Sequence, residues 1–326
     1  MGSSTWLSSI LRSDLLPANV VSPLRPESSL VPWIGLALIL WSFTVAPGCR
    51  AIRRFGEGRH AIAARRLSGQ GFEAMHQGQW EDAESLFGDA LRVSKSDDRA
   101  HWGMAEACWQ RDQHATAVEH MNQAVRLSAG DPKFVRRLGR MYFELGDLER
   151  ADQHAQWALR TDRNSAQGWA LRGDCLKANG DDAAALASYH RALAYQPDYP
   201  EVQIAAAEIY HGQNRYDRCL ATIDRLHDGM NVMETPTSVD MLQGIAMREL
   251  GRDDEAKQCF LRATRKSPDD PAPHLELASL RLKLGQVDAA RSALETAMRL
   301  DPTGLRDPSL VDALRPRVAA GQDATY

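Results

Sequence analysis

Between Ala64 and Gly304, apolar and small residues recur at intervals of three and four, the spacing that paints one stripe along an α-helix. The stripes come in short blocks, and the blocks come in pairs. The clearest pair is Ala166 to Tyr199, which carries Trp169, Gly173, Leu176, Gly180, Ala185, Tyr189, Ala192 and Pro197. The same chemistry returns at shifts of about 34 residues. Downstream it reads Gly244, Gly251, Ala256, Phe260, Ala263, Pro268, then Ala278, Gly285, Ala290, Leu294, Ala297, Pro302. Upstream it reads Gly139, Tyr142, Gly146, Ala151 and Ala158, before that Ala105, Ala117, Met121 and Ala124, and first Gly71, Gly78, Ala83, Phe87 and Ala90. A more divergent unit from Pro200 holds Ala207, Tyr210, Cys219 and Leu226, and a slip of three residues, Glu234 to Pro236, precedes the unit at Thr237.

Each unit therefore predicts two amphipathic helices. The small residue at the eighth place lets them approach closely. Between them stands Gly78, Gly146, Gly180, Gly251 or Gly285, with Asp112 and Asn214 in the two remaining units. These residue types tolerate the left-handed conformation that ends a helix. Proline near the unit boundary, as in Asp131-Pro132, stops one helix and starts the next.

This pattern resembles the tetratricopeptide repeat family over about three-quarters of the chain. The resemblance implies an all-α fold: a right-handed α-solenoid of about seven helix-turn-helix repeats, at 64–97, 98–131, 132–165, 166–199, 200–233, 237–270 and 271–304. Residues 305–326 are expected to supply a short capping helix (Pro308 to Val318) and a tail.

Ahead of the repeats the pattern changes. Leu30 to Ala46 has no charged residue; at 1.5 Å per residue it reaches about 25 Å, a little under the ~30 Å hydrocarbon core. Residues 1–49 are read as a membrane-targeting segment and 50–63 as a basic linker. Two signals then oppose one another. Ala46-Pro47-Gly48-Cys49 resembles a bacterial lipoprotein cleavage site, which would put lipid on Cys49 of an exported protein. Arg50, Arg53, Arg54, Arg59, Arg65 and Arg66 follow the apolar run, with only Arg12 and Arg25 before it, the bias of a single-span anchor whose repeats stay cytoplasmic. The exported lipoprotein is placed slightly ahead.

Composition narrows the chemistry. A net charge of −4 gives no reason to expect nucleic acid as a partner. Cys49, Cys108, Cys175, Cys219 and Cys259 show no CxxC spacing, and no HExxH occurs, so neither a metal site nor a cofactor is expected. The four cysteines inside the repeats read as buried free thiols. GxSxG, phosphate-binding glycine loops and Ser/Cys–His pairings are lacking, and the roughly 63 residues before the repeats and 22 after are too few for a second core. The expectation is a non-catalytic protein.

One stretch suggests where binding occurs. Lys133, Arg136, Arg137 and Arg140 share a helical face, with Val135, Leu138 and Tyr142 on the buried side. On the preceding repeat Arg99, Trp102 and Trp109 take the corresponding face. In the family this face lines a peptide groove, so the seven residues are the candidate peptide-binding set, suited to an acidic or C-terminal segment. The groove asparagine of some chaperone adaptors is missing: the matching places hold Phe72, Glu106, Arg140, Asp174, Glu208, Ile245 and Ser279. Met241, Leu242, Ile245, Leu275 and Leu282 would either make the far end of the groove apolar or complete the core. The functional expectation is a membrane-tethered scaffold or adaptor. The alternative is an assembly or structural factor of an envelope or secretion complex, acting through the outer surface.

Overall fold

The computed structural model describes the backbone of residues 46–302 and the side chains of 60–302. The chain divides into two compact units, 1–59 and 60–326. The described residues form helices only: α1 (Ala46–His76), α2 (Trp80–Val93), α3 (Asp98–Gln110), α4 (His114–Leu127), α5 (Pro132–Glu144), α6 (Leu148–Thr161), α7 (Ala166–Ala178), α8 (Asp182–Tyr195), α9 (Pro200–Gly212), α10 (Tyr216–Gly229), α11 (Thr237–Glu249), α12 (Asp253–Lys266), α13 (Pro271–Lys283) and α14 (Val287–Leu300). They pack as seven successive hairpins, α1 with α2 through α13 with α14. First helices of neighbouring hairpins also touch, as α5 does α7 and α9 does α11. The molecule is an all-α solenoid.

The turn inside every hairpin carries one residue at positive φ. Five are glycines, and Asp112 (φ 59°) and Asn214 (φ 56°) fill the same place in the other two. Asp and Asn visit this region more cheaply than other side chains, which explains why these two replace glycine.

Within the hairpins, the sixteenth residue after the small one sets its size. Phe87, Tyr189 and Phe260 lie on Gly71, Gly173 and Gly244, where an added Cβ would stand 2.7, 2.4 and 2.6 Å from the ring. Where the small residue is Ala105, Ala207 or Ala278, the partner is the slimmer Met121, Ile223 or Leu294, each buried in the same cluster as its alanine. Repeat three departs from this rule. Gly139 faces Ala155 at the sixteenth place, and Leu171 from the next hairpin comes within 3.0 Å of the vacant Cβ position. The buried clusters run across hairpins, one from Ala105 to Cys175 and another from Ala170 to Leu280, so each hairpin completes its core only on its neighbours.

The three-residue slip lies in the connection from α10 to α11. Lys266 of α12 donates to Val232 O (2.6 Å) and Thr235 O (2.9 Å). It also pairs with Asp240 at 2.5 Å, while Arg262 pairs with the same carboxylate at 2.9 Å. Asp240 is fully buried, so the two cations offset a charge that would otherwise be costly to place there. The extra residues are thereby tied to the following hairpin.

Residues 50–63, read from sequence as a linker, lie within α1. Leu30 to Val45 and the expected cap at 308–318 fall outside the described residues, as does the side chain of Cys49. Among the described residues no helix is long and apolar enough to cross a membrane.

Candidate peptide-binding groove

Three helices build the site, and each begins on a side-chain cap. Asp97 accepts from the amides of Arg99 and Ala100, Asp131 from Lys133, and Ser165 from Gly168, giving α3, α5 and α7 fixed starting points. On α5 the division of faces is sharp. Phe134, Val135, Leu138, Met141 and Tyr142 are buried, while Lys133 is exposed and Arg136, Arg137 and Arg140 are half-buried on the other side.

Between α3, α5 and α7 lies a cavity of about 690 Å³. Trp102, Phe134, Leu171 and Tyr199 give it an apolar floor; Arg99, Lys133, Arg136, Arg137 and Arg140 surround that floor, with Asp98, Glu106 and Asp131. Trp102 sits between Phe72 (ring centroids 5.1 Å apart) and Phe134 (5.7 Å), and Arg99 lies over Phe72 at 5.5 Å. The indole N–H donates to Glu106 at 3.2 Å.

The cations differ in how they are compensated. Arg137 forks onto Glu106 at 2.7 and 2.8 Å and lies 3.6 Å from Glu144. Burial works against its charge, but Glu106 outweighs burial and raises its pKa further. Arg140 pairs with Asp174 at 2.7 Å, and Tyr189 donates its hydroxyl to the other oxygen of that carboxylate at 2.8 Å. Burial first, and Asp174 second, push the Tyr189 phenol far above its ordinary pKa. Arg99, Lys133 and Arg136 have no carboxylate within ion-pair distance among the described residues; Arg136 donates to Ser165 Oγ at 3.3 Å. The cavity thus holds three cations without ion-pair partners above an aromatic floor.

Six of the seven residues singled out from sequence line this cavity. Trp109 does not. It stacks on His114 (4.5 Å) and lies under the Arg137 guanidinium (5.5 Å), so it supports that arginine rather than facing the cavity. Sequence reading missed the ion pairs themselves. Glu106 with Arg137 and Arg140 with Asp174 join neighbouring first helices, and Lys177 with Glu208 and Arg248 with Glu276 continue the series. The available signal was opposite charge 28 to 34 residues apart on groove faces, close to one repeat. Beyond the first cavity an adjoining one of about 430 Å³ is lined by Glu144, Asp174 and Glu201 together with Arg140, and two of these three carboxylates already face Arg137 and Arg140. Met241, Leu242 and Ile245 pack against the large core cluster, and Leu275 and Leu282 against the last one.

The remaining chemistry-bearing residues are enclosed. Cys108, Cys175, Cys219 and Cys259 are buried free thiols. Burial raises Cys108 and Cys219 to about 11 and Cys175 to about 12, far from a reactive thiolate. Among the described residues no group of three or more His, Cys, Asp or Glu could hold a metal ion.

A helical-hairpin solenoid with a cavity between successive first helices has the architecture of a protein-interaction scaffold. Family models confirm the class. One for the tetratricopeptide repeat matches residues 69–132, and another of the same description matches 109–175, 176–228 and 247–315. The second covers more than half of the sequence, and the chain belongs to the tetratricopeptide repeat family, whose members are protein-interaction scaffolds that bind other proteins and peptides.

Cellulose synthase operon protein C of Xanthomonas axonopodis pv. citri is 28% identical over 247 residues, covering 70% of this chain. Hsp70-Hsp90 organizing protein 2 of Arabidopsis thaliana is 20% identical over 65% of it. The chain spans 16% of the first protein's length and 37% of the second's. Among solved structures, Pseudomonas aeruginosa PilF superposes with a TM-score of 0.61 at 17% identity, covering 69% of this chain and 99% of that one. YrrB, described as a tetratricopeptide repeat protein with an unusual peptide-binding site, gives 0.52 at 16% identity, covering 57% and 95%. At these identities the structural likeness is one of fold.

Proposed function

We propose that this protein is a non-catalytic, membrane-tethered scaffold whose groove takes a partner segment in which an apolar side chain adjoins a carboxylate, as at an acidic C-terminus. The observation that carries this reading is the cavity between α3, α5 and α7. Its aromatic floor suits an apolar anchor, and Arg99, Lys133 and Arg136 stand beside that floor without carboxylate partners among the described residues.

Tethering rests on the apolar run Leu30 to Ala46 and on the lipobox-like residues ending at Cys49, with export as a lipoprotein preferred to a cytoplasmic-facing anchor. Anchoring would raise the concentration of membrane-bound partners at the groove. Likeness to cellulose synthase operon protein C favours a second reading, an assembly factor of an envelope or secretion complex.

The groove is tested by titrating a short labelled peptide ending in Leu-Asp with a free carboxylate. Lys133→Glu with Arg136→Glu should weaken binding at least tenfold. An unchanged affinity refutes the groove assignment. Mass spectrometry of the mature N-terminus tests the tether: lipid on Cys49 supports the exported form, and an intact Met1 segment refutes it.

A further inference from the structure

The opposite face of the solenoid, from the third to the fifth repeat, carries a different charge pattern. Two clefts open there, each walled by successive second helices and floored by the outward side of a first helix. The first, about 500 Å³, lies between α6 and α8 over α7, and contains Arg160, Arg163, Arg172 and Arg191 around Trp169. The second, about 390 Å³, lies between α8 and α10 over α9, and contains Arg218 and Arg225 beside Tyr210. Neither lining includes a carboxylate. Of the six arginines only Arg172 meets one within 4 Å among the described residues, Asp152 at the long distance of 3.9 Å.

The two clefts occupy equivalent places in successive hairpins and share one arginine position. Gln156, Leu159, Trp169 and Arg191 of the first stand 34 residues before His190, Leu193, Gln203 and Arg225 of the second. Arg191 and Arg225 thus hold the same place in successive hairpins, and both are exposed. In the first cleft the indole is built in: its N–H donates to Arg163 O at 2.8 Å, and guanidiniums lie near its ring at 4.7 Å (Arg191) and 5.8 Å (Arg172). A guanidinium held over an aromatic ring keeps its in-plane N–H fork free for a carboxylate. In the second cleft His190, which contacts the Tyr210 hydroxyl at 2.8 Å, is held below its ordinary pKa by burial and then by Arg218, Arg225 and Arg215. Burial is the larger cause, and the three arginines add to it.

We propose that these two clefts form a second binding surface, distinct from the groove, for an extended acidic polypeptide segment that places a carboxylate cluster in each. Arginine used without a single lysine in either lining matches forked carboxylate recognition rather than diffuse attraction to a charged plane. The recessed position of Trp169 and Leu159, both less than fully exposed between the helices, fits a chain that enters the clefts; a flat lipid surface would meet only their rims. The chain's overall charge of −4 opposes long polyanions and anionic membranes at a distance, while a short segment feels mainly the local arginines.

The test uses the full chain in a neutral detergent and a labelled, acetylated and amidated twelve-residue Glu-Gly repeat, which has neither an apolar anchor nor a free C-terminus. Arg191→Gln with Arg225→Gln should weaken its binding at least tenfold, and Trp169→Leu about threefold. Lys133→Glu with Arg136→Glu should change it less than twofold. Because Arg191 and Arg225 are exposed, the double variant should keep the thermal transition of the parent. The proposal is overturned if the peptide does not bind, if the double variant binds it as the parent does, if the groove variant loses it instead, or if phosphatidylglycerol vesicles capture the protein through Arg191 and Arg225.

Discussion

The groove is lined from the second to the fourth repeat and the outer clefts from the third to the fifth; both are rich in arginine, yet the arginines have different work. In the groove, Arg137 and Arg140 are committed to Glu106 and Asp174 of neighbouring hairpins, so they join the solenoid together, whereas Arg99, Lys133 and Arg136 have no ion-pair partner among the described residues. On the outer face, Arg160, Arg163, Arg191, Arg218 and Arg225 have no ion-pair partner among the described residues, and the hairpins are held by the apolar core beneath. A cation count alone would barely separate the faces, with five lining the groove cavity and six lining the clefts. The partners of the cations separate structural charge from available charge.

The largest stability effect that separates the faces should come from Arg137. Arg137→Ala leaves the half-buried Glu106 without its fork, and a cost of about 2 kcal/mol is expected, a figure between exposed and fully buried pairs. Denaturant unfolding of the variant measures it. Arg191→Ala and Arg225→Ala, by contrast, should stay within about 0.5 kcal/mol of the parent. A cost as large at Arg191 as at Arg137 would erase the distinction.

Removing the Tyr189 hydroxyl should cost about 1.5 kcal/mol, since Tyr189→Phe deletes one hydrogen bond to the Asp174 carboxylate and keeps the ring packed on Gly173. The same denaturant series checks it.

Acid should act on the second-helix layer. His120, His154, His190 and His227 lie on α4, α6, α8 and α10, and burial is the first cause holding each below its ordinary pKa. Between the folded and unfolded pKa values the unfolded chain binds more protons. Stability is therefore complete above about pH 6.5 and falls as pH drops below it. Thermal melts from pH 7.5 to 5.5 should show a falling midpoint. A flat profile would mean that these histidines are already solvated.

The smallest effect concerns the thiols. With Cys108 and Cys219 raised to about 11 and Cys175 to about 12, iodoacetamide at pH 8 should leave all three unmodified in the native chain and label them after unfolding. Intact-mass spectrometry distinguishes the two states.

Much of the fold was legible because the repeat is written in residue size and backbone permission. Gly173 with Tyr189 and Ala207 with Ile223 show the complementarity at a constant offset, and Asp112 and Asn214 stand where glycine does elsewhere. The cation-bearing face of α5 was legible for the same reason, since periodicity alone puts Lys133, Arg136, Arg137 and Arg140 together. What periodicity could not show is pairing between hairpins. Whether Arg137 serves a ligand or Glu106 depends on the angle between α3 and α5, and Trp109 could be assigned to the groove only until Arg137 was seen lying over it. The outer clefts were overlooked because their arginines are scattered over α6, the α6–α7 connection, α7, α8 and α10, with no more than two on any one helix.

The central claim, that the groove reads an apolar residue beside a carboxylate through Lys133 and Arg136, meets its most direct test in site-specific photo-crosslinking. A photoreactive residue replaces the exposed, cavity-lining Gln167, and a second chain carries it at the exposed Ala187 of α8. The labelled peptide ending in Leu-Asp should crosslink at position 167, lose that crosslink with Lys133→Glu and Arg136→Glu, and leave position 187 unmarked. Equal labelling at both positions, or labelling at 167 that survives the double substitution, would contradict it.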